Sequence, residues 1–178
     1  MAIGFSAADA ERLIPRLRRY ALALTGTREA ADDLTQDTLE RAWRKRALWQ
    51  PGSDLRAWLF TVMHNVYVNG VRTARPVESL DDERFSADHD RSWTQPDAVE
   101  AQLALSDVKA AFGRLSDDHR EVLLLVGVEQ LSYVEAAAVL EVPIGTVMSR
   151  LARGREQLRR LLSSEATAAV PPALRRVK

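Results

Sequence analysis

From Val142 to Leu162 the chain reads VPIGTVMSRLARGREQLRRLL, where Arg150, Arg153, Arg155, Arg159 and Arg160 face a single acid, Glu156. At about 3.6 residues per turn, Val147, Leu151, Gly154, Leu158 and Leu161 fall on one helical face. Thr146, Ser149, Arg150, Arg153, Gln157 and Arg160 fall on the other. One face therefore packs, while the other offers hydroxyl, amide and guanidinium groups. These groups make directional hydrogen bonds to base edges and charge-assisted bonds to phosphates, so they suit nucleic-acid binding rather than bond breaking. Ser149 and Arg153 are the candidates for base edges, and the other arginines for phosphates.

Nothing else in the sequence competes as chemistry. Cysteine is absent, which excludes disulfides, thiol nucleophiles and thiolate metal ligands. His64, His89 and His119 are too scattered to suggest a metal site. Asp32 and Asp33 sit at consecutive positions on different helical faces, and no Gly-rich phosphate loop or nucleophile–base pattern is present. No cofactor, no metal and no enzymatic activity are expected. The 25 basic and 25 acidic residues cancel, but they are segregated. Asp117, Asp118, Glu121, Glu129, Glu135 and Glu141 outweigh Arg114 and Arg120 just before the basic helix. For nucleic-acid binding the local sign matters more than the sum. A length of 178 residues fits one medium domain or two small ones. There is no apolar run of roughly 18 residues and no basic leader in MAIGFSAADAERL, so a cytoplasmic protein without membrane insertion is expected.

The elements that must position these residues are all helical. Ser6 and Asp9 have capping-box spacing, and Leu13, Leu17, Tyr20, Ala21 and Leu24 follow at helical period, with Pro15 set to delay or kink the helix. Gly26 ends that segment, and Thr27 caps a helix expected to reach Ala47. In it Ala31, Leu34, Thr38 and Ala42 make one face, and Asp33, Gln36, Asp37, Glu40 and Arg44 another. LWQPGSD breaks the pattern, and Asp54 caps a third helix with Leu55, Trp58, Leu59, Val62 and Val66 on its buried side. Between Pro76 and Glu100 lie eight acids, two arginines and no helical or strand period, the composition of a flexible linker. Val99, Leu103 and Val108 resume helical patterning. Ser116 caps a helix with Val122, Leu123 and Val126, and Ser132 with Glu135 opens SYVEAAAVL. Glu141 stands where a helix–turn–helix needs a left-handed residue. A short capped helix, a tight turn and a longer basic helix form the helix–turn–helix pattern. The expected organisation is all-α, with domains at 1–75 and 99–162, an acidic linker at 76–98 and a frayed tail at 163–178.

LSYVEAAAVL followed by VPIGTVMSRLARGR resembles the promoter-reading fourth region of bacterial sigma factors. That resemblance makes Thr146, Ser149, Arg150 and Arg153 the contacts to the minus-35 promoter element. Met148 stands where many relatives place a basic residue, and Gly154 where Ala is usual. ADDLTQDTLERAW is similar to the second region of the same family, at the helix that docks on core RNA polymerase. Asp33, Gln36, Asp37 and Glu40 are then the polymerase-binding stripe. LRAWLFTVMHNVYVNGVRTAR resembles the segment that captures the minus-10 element. Asn65 and Asn69 are four apart, with Arg72 three further on, so amides and a guanidinium share a face. LWQPGSD sits where relatives form a pocket for a flipped base, which makes Trp49 a stacking candidate, while Trp58 falls on the core stripe.

The two-domain plan, with no inhibitory domain expected ahead of it, is similar to the extracytoplasmic-function group, whose members serve stress responses. In that group the acidic linker threads the polymerase channel, and a co-encoded anti-sigma factor commonly holds the protein inactive. The resemblance thus implies core RNA polymerase, promoter DNA and an anti-sigma factor as partners. Two weak contacts joined through the polymerase give tight binding by effective concentration, so the free chain needs no net positive charge. The alternatives are a sigma mimic that sequesters an anti-sigma factor and a stand-alone helix–turn–helix repressor.

Overall fold

The computed structural model describes residues 4–73 and 108–168, with side chains described through 70 and 163. The expected linker at 76–98 and the tail beyond 168 lie outside the described residues. Among those described, every regular element is helical.

Helix α1 (Ala7–Glu11) opens on the expected capping box: the Ser6 hydroxyl accepts from the Asp9 N–H at 3.2 Å, and the Asp9 carboxylate accepts from the Ser6 N–H at 3.1 Å. Hydrogen bonds from the Ser6 side chain, then from its backbone, hold the Asp9 carboxyl below its ordinary pKa. Pro15 restarts the helix rather than bending it, because α2 (Ile14–Thr25) carries proline in its first turn, where no backbone donor is needed. Gly26 ends α2 at φ 80°, and its N–H donates to the Leu22 carbonyl at 2.9 Å. Thr27 then caps α3 (Arg28–Arg44), accepting from the Ala30 N–H at 3.3 Å. Helix α3 stops short of Ala47, tightening into a 3₁₀ turn at Arg46–Leu48. It buries Ala31, Leu34 and Ala42 together with Thr35 and Thr38, whose hydroxyls donate to the Ala31 and Leu34 carbonyls at 2.7 and 2.6 Å.

Asp54 caps α4 (Leu55–Thr73) by accepting from the N–H groups of Arg56 and Ala57. On the expected stripe Leu59 and Val62 are buried, and Leu55, Trp58 and Val66 are partly so. Phe60 and Met63, off that stripe, are 0% exposed. Helix α4 packs against both α3 and α7, and Phe60 also meets Tyr20 of α2 edge-on at 5.0 Å, so the helix needs apolar groups beyond a single stripe.

The described residues resume at 108 within a helix, α5, whose described part is 108–113; the expected helical patterning at Val99 and Leu103 lies outside them. Ser116 takes the extended N-cap conformation before α6 (Asp117–Leu123), yet its side chain makes no capping bond; Asp117 and Asp118 supply the negative charge that the helix start favours. A π turn follows at Leu124–Val128, closed by the Glu129 N–H donating to the Leu124 carbonyl at 2.8 Å. The second capping box is formed as expected: the Glu135 N–H donates to the Ser132 hydroxyl at 3.2 Å, and the Ser132 N–H to the Glu135 carboxylate at 2.7 Å. It starts α7 (Tyr133–Leu140), which ends at Glu141 in the left-handed conformation, φ 53° and ψ 40°. Helix α8 (Ile144–Ala168) packs Val147, Leu151 and Gly154 inward and runs past the expected boundary at 162.

The two halves are in contact, α2 with α6 and α4 with α7. Arg120 ties the α5–α6 turn together, donating to the carbonyls of Phe112, Gly113 and Leu115 at 3.1, 3.0 and 2.8 Å. It also reaches the Leu24 carbonyl at the end of α2, at 3.4 Å. A buried guanidinium is tolerable only with its donors engaged in this way.

Candidate nucleic-acid interface

Glu141 in the left-handed region reverses the chain after α7, and Pro143 opens α8, its carbonyl accepting from the N–H groups of Thr146 and Val147 at 2.8 and 3.2 Å. Burial of Val147 and Leu151 against α6 and α7 fixes the roll of α8. Ser149 and Arg153 are thereby exposed and Thr146 is half-buried. The Ser149 hydroxyl donates to the Thr146 carbonyl at 3.0 Å and keeps its acceptor lone pairs for a donor from outside. Arg150 is half-buried and ion-paired to Asp118 on α6 at 2.8 Å, so contact with a phosphate first requires exchange of that partner. Arg153 and Arg155 have no ion pair among the described residues, whereas Arg159 and Arg160 both meet Glu156. Gln157, on the polar face, faces His119 of α6, its carbonyl oxygen 3.0 Å from the ring Nδ1. Ile144 and Met148 are exposed apolar groups at the entry of the helix. The free positive charge of α8 thus centres on Arg153 and Arg155.

On α4, Asn65 is half-buried and donates through Nδ2 to the Glu141 carboxylate at 3.3 Å. Asn69 is exposed one turn further on, and Arg72 lies near the end of the helix, its side chain outside the described residues. Trp49 is placed differently from a free stacking platform. It is half-buried, edge-on to Phe5 at 6.1 Å, in an aromatic cluster with Trp43 and Trp58, and its indole N–H is buried without an acceptor.

On α3, Asp33, Gln36, Asp37 and Glu40 are all exposed, because the opposite face is taken by Ala31, Leu34, Thr38 and Ala42. Glu40 pairs with Arg44, whereas Asp33 and Asp37 have no ion pair among the described residues. Beside this stripe Leu39, Ala42 and Trp43 line a shallow apolar groove with Phe5, Ala10 and Ile14. Carboxylates beside an apolar groove are the chemistry to which an amphipathic basic helix is complementary.

Sequence reasoning missed the polar seam between the halves. The Glu129 side chain is 1% exposed, with Oε1 2.8 Å from Arg19 and Oε2 3.8 Å from Arg16. Arg56 donates to the Glu129 carbonyl at 2.8 Å. Glu121, also buried, lies 3.0 Å from His64 Nδ1. In the sequence both glutamates count only toward a local acidic balance. The available signal was indirect: Glu121 stands inside HREVLLLV, where apolar neighbours surround it.

Comparison with known proteins bears on the family of the chain. A family model described as the Sigma2 domain of PhyR matches residues 11–64, and one described as Sigma-70, region 4 matches residues 105–158. The chain is 38% identical over 150 residues to the ECF RNA polymerase sigma factor EcfG of Rhodopseudomonas palustris, spanning 84% of this chain and 80% of that protein. It is 34% identical over 156 residues to ECF RNA polymerase sigma factor SigE of Mycolicibacterium smegmatis, spanning 85% of this chain and 59% of that protein. Among solved structures it resembles the sigma factor RpoE of Bartonella quintana, crystallised with the anti-sigma factor NepR, at TM-score 0.69 and 34% identity over 89% of this chain and 98% of that one. The chain belongs to the extracytoplasmic-function (ECF) sigma factors of RNA polymerase.

Proposed function

We propose that this sigma factor docks on core RNA polymerase through Asp33, Gln36, Asp37 and Glu40, and reads promoter DNA with two separate helices. Helix α8 enters the major groove of the minus-35 element N-terminus first, with Ser149 and Arg153 at base edges and Thr146 and Arg150 beside them. Helix α4 presents Asn65, Asn69 and Arg72 to the unpaired minus-10 strand. Trp49 acts there chiefly by holding the preceding loop against Phe5. The chain supplies recognition and the polymerase supplies catalysis, so it is not itself an enzyme. It works in the cytoplasm, where polymerase and promoter are found. Among the described residues no helix is long and apolar enough to cross a membrane. An anti-sigma factor is its proposed regulator, as the co-crystallised relative suggests.

The observation that carries this reading is the pairing, in one chain of this family, of an exposed Ser149–Arg153 face on α8 with an exposed stripe on α3 whose Asp33 and Asp37 carboxylates have no ion pair among the described residues. A sigma mimic has no need of base-reading groups at Ser149 and Arg153. Run-off transcription with purified core polymerase over a genomic promoter library tests the proposal. Transcripts sharing two upstream elements are expected; absence of chain-dependent transcripts would contradict it and favour the mimic.

A further inference from the structure

Hydroxyl and guanidinium groups do not account for the whole free face of α8. Val147, Leu151 and Gly154 are buried, so the exposed arc of the first three turns carries Ile144, Gly145, Met148, Ser149, Ala152 and Arg153. Much of it is apolar. Ile144, Met148 and Ala152 recur every four residues and so stand one above another along the helix. Ile144 is 45% and Met148 53% exposed. A single exposed apolar side chain is ordinary on a folded protein, but three in register beside Ser149 and Arg153 are not a scattered set. Gly145, which borders open space, and the short Ala152 keep the helix surface low on either side of Met148.

Charge identifies what covers this strip. Arg153 and Arg155 stand within two turns of Met148 without an ion pair among the described residues, so the surrounding surface favours a polyanion over an apolar protein face. The Ser149 hydroxyl donates its proton to the Thr146 carbonyl and presents lone pairs, which an adenine or cytosine amine can meet. The apolar feature of the major groove is the thymine C5-methyl group. We propose that Ile144, Met148 and Ala152 form a methyl-reading strip: in the minus-35 duplex Met148, flanked by Ile144 and Ala152, packs on thymine C5-methyl groups and so selects A·T pairs. This rests on the placement of α8 in the major groove proposed above. Burying one methyl group against Met148 changes affinity roughly three- to fourfold.

Deoxyuridine keeps every hydrogen-bonding group of thymidine and lacks only the methyl. The test uses the full chain with core polymerase on a promoter that the pair transcribes, each minus-35 thymine being replaced in turn by deoxyuridine. For the unaltered chain, promoter affinity is expected to fall roughly three- to fourfold at one or two of these positions. Met148→Ala is expected to lose about as much on the thymine promoter and to become indifferent to uracil there, while Met148→Leu retains most of the thymine preference. Met148 is exposed, so the urea midpoints of both variants are expected to match that of the unaltered chain. The strip is overturned by a minus-35 element without A·T pairs, by uracil replacements that never weaken binding, or by a uracil effect undiminished in Met148→Ala. An equal loss for Met148→Ala on thymine and uracil promoters would put a protein partner on the strip instead, and overturns it too. Where promoter binding survives these failures, the function proposed above stands; a chain that directs polymerase to no promoter takes down both.

Discussion

Tyr20 carries its hydroxyl into the core beneath the seam, edge-on to Phe60 at 5.0 Å, with no hydrogen-bond partner for the oxygen. Burial, and then the nearby Glu121 carboxylate, push its pKa well above the ordinary 10.0. The unfolded chain therefore releases this proton first, so the contribution of Tyr20 to stability is complete below about pH 10 and is lost as pH rises toward the folded-state value. Tyr20→Phe removes an unsatisfied group and keeps the ring. It is expected to leave stability unchanged or raise it by about 1 kcal/mol, and to weaken the alkaline loss, as read from urea midpoints across pH. A destabilisation above about 1 kcal/mol would mean that the hydroxyl has a partner in solution. On α8 two arginines separate the kinds of contact. Arg153→Ala is expected to cost about 1–3 kcal/mol on the preferred minus-35 sequence and to relax preference there. Arg155→Ala is expected to weaken all sequences alike and to reduce the salt dependence of polymerase-bound promoter affinity by about one counterion.

At the scale of elements, the helix starts were written locally and the packing was not. Ser6 with Asp9, Thr27, Asp54, and Ser132 with Glu135 cap the helices they were expected to cap, because a capping bond spans three residues and needs no tertiary partner. The stripes of α2, α3 and α8 were equally legible, each having one buried face. Helix α4 was read only in part, since Phe60 and Met63 are buried off the expected stripe, Phe60 against Tyr20 of α2, and the approach of distant helices is encoded by no local period. The buried Glu121 and Glu129 were illegible for the same reason: their partners stand 57 and 110 residues away in the chain. The α7–α8 turn shows a local rule set aside. Glu141 holds a left-handed conformation that suits glycine, at a cost of roughly 1 kcal/mol. Glu141→Gly is expected to raise thermal stability of the C-terminal half by up to that amount. A net loss would show that the Glu141 carboxylate contributes more through Asn65 than the turn costs.

For the whole molecule, function depends on a third body. In the function proposed here, neither α8 nor α4 alone carries enough base-reading groups for tight, specific binding, and the polymerase fixes their separation. The candidate docking stripe is therefore the most sensitive surface for activity and the least sensitive for stability. Alanine at Asp33, Gln36 and Asp37 together is expected to leave the urea midpoint within about 0.5 kcal/mol of the unaltered chain, since all three are exposed. The same variant is expected to lose most polymerase binding in a pull-down; full retention would move the docking face elsewhere.

Footprinting on one promoter recovered from the library, with chain alone, polymerase alone and both together, tests the central claim most directly. Two protected elements with melted DNA at the downstream one are expected only when both proteins are present. Tight protection by the chain alone, or none with polymerase added, would contradict the account.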